Sequence, residues 1–115
     1  MVVVLVFDID DTIYIHDSII SDIYTPYDSI QPDTKMKQLL QNITCPKYVL
    51  TNATYGHANI IVNKMGIFDE FEKIYSRDNI PAMKPYPQCY DSVYQDISKS
   101  QFGSNLEIYF FGYKI

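Results

Sequence analysis

Cysteine is scarce in this chain: two thiols, Cys45 and Cys89, among 115 residues. They lie far apart and outside any CxxC pair, which excludes a disulfide framework and fits free thiols in a reducing compartment. Basic charge is also short, with nine Lys and Arg against fourteen Asp and Glu and a net charge of −5. The summed field therefore repels polyanions and excludes a broad footprint for duplex nucleic acid, so any phosphate ligand has to be held by local groups. Long apolar runs are missing too. The run at the start, 2–7, is too short for a membrane span or a signal h-region, and no basic segment precedes it. The expectation is a cytoplasmic protein with no membrane association. No repeat, linker or low-complexity tract is visible, and 47% hydrophobic with 20% charged residues suits one compact domain over 1–115.

What is present alternates between two periods. Val2-Val3-Val4-Leu5-Val6-Phe7 is an uninterrupted β-branched and apolar run, the pattern of a strand buried on both faces of a parallel sheet. From Tyr14 to Gln31 no period is sustained, and the segment reads as irregular or hairpin-like. Pro32-Asp33-Thr34 then starts a helix whose apolar stripe is Met36, Leu39, Leu40 and Ile43. Lys47 to Leu50 is a second strand. Thr54 caps a second helix with the stripe Ala58, Ile61, Val62 and Met65, and Gly66 stands where a left-handed residue closes it. Phe71 to Tyr75 supplies a third strand, Pro85 and Pro87 open a helix running through Cys89, Tyr90, Val93, Tyr94 and Ile97, and Leu106 to Phe111 is the fourth strand. Strands alternating with helices of about ten residues predict βαβ units and a three-layer α/β domain with a mostly parallel sheet.

The chemistry concentrates where strands end. Asp8-Ile9-Asp10-Asp11-Thr12 follows the first strand directly, at the edge of an α/β sheet where ligands bind. Three acids in four positions repel one another, a cost that a hard divalent cation with oxygen ligands offsets. Thr51-Asn52 ends the second strand just before a helix N-terminus, where a hydroxyl and free backbone N–H groups can hold phosphate oxygens. Lys84 precedes the third helix and can bring an ammonium to the same anion.

Taken together these residues resemble the haloacid dehalogenase-like phosphohydrolases. That family's first motif, an apolar strand followed by D-x-D-x-T, is matched by Asp8, Asp10 and Thr12. Its second, a strand ending in Thr or Ser, is matched by Thr51, and its third, a Lys ahead of a helix, by Lys84. Leu50-Thr51-Asn52-Ala53 followed by His57-Ala58, Met65-Gly66-Ile67-Phe68 and Lys84-Pro85 looks more narrowly like the pyrimidine 5′-nucleotidase branch. The resemblance implies a Rossmann-like core and a phosphomonoester substrate, with a nucleotide as the narrower expectation. It also implies Asp8 as nucleophile and Asp10 as general acid and base, with Thr51 and Lys84 on the phosphate oxygens. Mg²⁺ would bridge the Asp8 carboxylate, the Asp10 main-chain carbonyl and the phosphate. Asn52 is expected to orient Asp8 or the substrate, and Asp11 to face solvent.

Two departures follow from the same comparison. About twenty residues separate Thr12 from Pro32, too few for the helical cap domain of nucleotidase-like members, so a capless, open site is expected. After Ile108-Tyr109-Phe110-Phe111 the chain reads Gly112-Tyr113-Lys114-Ile115, with no fourth-motif aspartate for the metal and no fifth strand. The last strand is then an open edge that invites pairing with a second copy. The rival expectation is a weak or inactive relative, or a truncated product, that binds phosphate or a protein partner without turnover. His16, His57, Cys45 and Cys89 have no ligand spacing, so scattered structural roles are expected of them rather than a zinc site. The tyrosines, Tyr90 and Tyr94 among them, are assigned to core and rim packing.

Overall fold

The computed structural model describes residues 1–15 and 27–112. The strands are β1 (Val2–Phe7), β2 (Lys47–Leu50), β3 (Ile74–Tyr75) and β4 (Leu106–Phe111), and the helices are α1 (Thr34–Asn42), α2 (Tyr55–Lys64) and α3 (Pro87–Ser98). The four strands form one sheet in the order β3-β2-β1-β4. Every pairing is parallel, with Val6 opposite Tyr48 and Phe110, and Leu50 opposite Tyr75.

Strand alternation sorts the core into two layers. Val4, Val6, Tyr48, Leu50 and Tyr75 point to one face and pack with Cys89, Val93 and Ile97 of α3. Val49 and Ile74 point to the other, against Leu40 of α1 and Ala58, Ile61 and Val62 of α2. The result is a small three-layer α/β domain with an all-parallel sheet, compatible with a Rossmann-like fold.

Local signals act as the sequence predicts at most boundaries. The Asp33 carboxylate accepts from the Met36 N–H at 2.9 Å and caps α1, and Thr54 does the same for the His57 N–H at 3.2 Å at the head of α2. Gly66 takes φ +77°, the left-handed conformation that ends α2 cheaply only at glycine. Pro87 occupies the first turn of α3, where its missing N–H costs nothing. Buried Lys47 donates to the Ile43 and Cys45 carbonyls at 2.6 and 3.2 Å, placing a cation at the C-terminal end of α1.

Two expectations change. The strand expected over 71–75 is only Ile74–Tyr75, because Phe68–Glu70 coil into a 3₁₀ turn and Phe71 packs against the α1–α2 layer. Leu39 is 58% exposed, so α1 buries Leu40, with Met36 partly buried beside it. Of the segment expected to be irregular, Tyr27–Ser29 form a 3₁₀ turn. Residues 16–26, which include His16 and most of the stretch judged too short for a cap, lie outside the described residues, as do 113–115. Among the described residues no helix is long and apolar enough to cross a membrane.

Candidate active site

β1 delivers the acidic turn. The Asp8 N–H donates to the Phe111 carbonyl at 2.9 Å, extending the β1–β4 ladder by one residue. The Ile9 side chain is fully buried, and its carbonyl accepts from the N–H groups of Thr12, Ile13 and Tyr14 at 3.2, 3.0 and 2.9 Å. With Ile9 and Ile13 anchored in the α1–α2 layer, Asp8 and Asp10 are left on the outer side of the sheet edge. Asp11 is exposed, as expected, and takes φ 62°, a conformation Asp tolerates better than most residues.

β2 delivers Thr51, whose N–H extends the β2–β3 ladder to the Tyr75 carbonyl at 2.9 Å. Its side chain is buried, and its Oγ1 accepts from the Ala53 N–H at 3.1 Å. Lys84 arrives from the loop before α3. Its Nζ donates to the Leu50 carbonyl at 3.0 Å and lies 3.1 Å from Asp8 Oδ1. The side chains are only 10% and 20% exposed, so the pair is weakly screened and stronger than a surface ion pair. Asp8 Oδ1 also accepts the Ile9 N–H at 2.9 Å.

Asn52 serves the lysine. Its amide donates to the Lys84 carbonyl at 3.1 Å and accepts the Lys84 N–H at 2.8 Å. The expected orienting role toward Asp8 is therefore indirect, through the backbone that aims the ammonium. Part of the set of N–H groups expected to be free at the start of α2 is already engaged. The Tyr55 N–H is taken by Asp78 at 2.7 Å, the His57 N–H by Thr54, and the Ala58 N–H by the Thr54 carbonyl at 3.2 Å.

One site residue was missed. His57, expected to be structural, lies on the first turn of α2 with Nε2 at 3.0 and 3.1 Å from the two Asp10 carboxylate oxygens. Its Nδ1 lies 2.8 Å from the Tyr27 hydroxyl. The available signal was position, since α2 opens at the same sheet edge as Asp10. Tyr27 carried no signal at all. Cys45 and Cys89 are free, and burial pushes the Cys89 thiol up, against a smaller opposing pull from Lys84.

Among the described residues no group of three or more His, Cys, Asp or Glu side chains could hold a metal ion. Gly112, directly after β4, brings no carboxylate. A single carboxylate, that of Asp8, suffices for Mg²⁺ only when water and phosphate oxygens complete its shell. Neither protein-family models nor curated proteins match this chain.

Proposed function

We propose that the chain is a phosphohydrolase of the haloacid dehalogenase-like type, cleaving a phosphomonoester through an aspartyl-phosphate at Asp8. The observation that carries the reading is the convergence of Asp8, Thr51 and Lys84 at the carboxyl ends of two adjacent parallel strands, with Lys84 Nζ 3.1 Å from Asp8 Oδ1. An Asp8 oxygen attacks phosphorus, the bond to the leaving oxygen breaks, and Asp10 gives that oxygen its proton. Asp10 then takes a proton from the water that splits the acyl phosphate. Lys84 balances charge that passes from the carboxylate to the phosphoryl oxygens, and Thr51 donates its hydroxyl to the same oxygens. The Asp8 carboxylate and the Asp10 carbonyl would hold Mg²⁺ together with the phosphate, and the ion would supply charge neutralisation there. A nucleotide is the narrower substrate proposal, resting on the sequence resemblance alone, and the cytoplasm is the proposed compartment.

Phosphate release from an aryl phosphate and from nucleoside monophosphates, with and without Mg²⁺, tests this. Mg²⁺-dependent release supports it, and none with any substrate at high protein concentration overturns it. A second reading is favoured by Gly112 in place of a metal-binding acid: the same groups bind phosphate without turnover. Orthophosphate binding by calorimetry, with no release from any ester, is its signature.

A further inference from the structure

The chain Tyr27–His57–Asp10 has a direction. While Asp10 is ionised its carboxylate only accepts hydrogen bonds, so in that state His57 Nε2, 3.0 and 3.1 Å from its two oxygens, is the donor. In the neutral ring Nδ1 is then the acceptor, and the Tyr27 hydroxyl 2.8 Å away is its donor. Three elements converge to build this: the turn after β1, the 3₁₀ turn at Tyr27–Ser29, and the first turn of α2. The His57 side chain is 17% exposed and that of Asp10 32%, so the ring is shielded while the carboxylate keeps access to solvent. Tyr27 itself packs against the α1–α2 core, its ring centroid 5.7 Å from that of His57. The Thr54 cap fixes the backbone from which the imidazole projects.

From this arrangement we infer that His57 is a positioning residue for Asp10. It holds the carboxyl group in one rotamer, and Tyr27 holds the imidazole in the Nε2–H tautomer that can do so. The inference rests on the proposed reading of Asp10 as general acid and base. Asp10 lies just beyond the strand, bridged to Tyr14, where several staggered rotamers are open to its side chain, and the His57 contact favours one of them. Loss of orientation slows the step that needs its proton far more than it weakens substrate binding.

That difference is measurable. Expulsion of an alkoxide needs protonation, whereas 4-nitrophenolate leaves without it, so the two ester classes report differently on Asp10. With Mg²⁺ present, His57→Ala should lower kcat/KM on glycerol phosphate by roughly 10²-fold and on 4-nitrophenyl phosphate only a few-fold, with KM little changed. Tyr27→Phe, which keeps the packing, should show the same bias at smaller size. His57→Gln, whose amide can donate from nearly the same place, should recover most of the loss. Equal losses on both esters, or no loss, would overturn the positioning role.

A second readout does not depend on turnover. Long-range ¹⁵N–¹H correlation of the His57 ring, recorded while it is neutral, should show the Nε2–H tautomer in the parent and a mixture in Tyr27→Phe. The Nδ1–H tautomer in the parent would overturn the assignment. A parent protein with the expected tautomer but no activity on either ester would overturn the phosphohydrolase reading, and the catalytic role of His57 with it, while leaving the hydrogen-bonded chain established.

Discussion

Lys84 reaches across two strand ends to Asp8, its ammonium 3.1 Å from Asp8 Oδ1 and 3.0 Å from the Leu50 carbonyl. One cation thus ties the end of β2 to the acid at the end of β1, and both partners are mostly shielded. Lys84→Met should cost about 1–3 kcal/mol of stability, since it leaves a half-desolvated carboxylate without its partner. Phosphate release should fall by roughly 10²-fold, about 2.7 kcal/mol. Denaturant melts and steady-state kinetics check the two effects, and the double variant with Asp8→Asn should recover part of the stability.

The Thr12 hydroxyl is the one buried side-chain polar atom among the described residues with no hydrogen-bond partner. Burying it unpaired costs about 1–3 kcal/mol, so Thr12→Val, which exchanges the hydroxyl for a methyl group, should raise the denaturant midpoint. A lowered midpoint would mean that the hydroxyl is bonded in solution.

Asp96 links α3 to β3. Hydrogen bonds from the Tyr75 hydroxyl at 2.7 Å and the Lys73 ammonium at 2.9 Å hold its carboxyl below the usual carboxylate range. A lowered folded value means that the stabilisation is complete above the unfolded value, about 3.9, and is lost as pH falls through the folded one. Asp96→Asn should therefore be less stable than the parent near neutrality, and the gap should close below about pH 4. Asp96 and Lys73 are each 48% exposed, so solvent screening keeps the gap to about 1 kcal/mol or less. Thermal melts across pH 3–7 read it directly.

β4 ends the sheet, paired only with β1 among the described residues. Glu107, Tyr109 and Phe111 are exposed on one of its faces. A largely apolar strand paired on one side only among the described residues can pair with another strand on the other, and the proposed occupant is β4 of a second copy. Sedimentation velocity should show concentration-dependent association that Tyr109→Lys with Phe111→Lys abolishes. A monomer at high concentration contradicts this.

β1, β2 and β4 were legible because an apolar run between turn residues has few other readings, but burial on both faces, expected of β1, holds only for β2, since Val3, Leu5 and Phe7 of β1 are half-buried. The third strand was overdrawn because Phe71 is apolar for a different reason: it packs edge-on against Phe7, 6.4 Å between centroids, rather than pairing. Sequence pattern does not separate those two uses of a side chain. Asp8, Thr51 and Lys84 were legible because each sits at a predicted strand end or helix entry. His57 and Tyr27 were not, since their meeting spans 47 and 30 positions and depends on how the turn after β1 packs against α2. For Asn52 the sequence indicated the place but not the partner, which comes from a loop 32 positions away.

The central claim is that Asp8 attacks phosphorus, and rapid-quench mass spectrometry during turnover tests it most directly. With Mg²⁺ and a phosphomonoester, one phosphoryl group should appear on the peptide containing Asp8, labile to base, and neither adduct nor phosphate release should survive in Asp8→Asn. Phosphate release from Asp8→Asn at the parent rate, or turnover with no adduct on that peptide, would contradict the account.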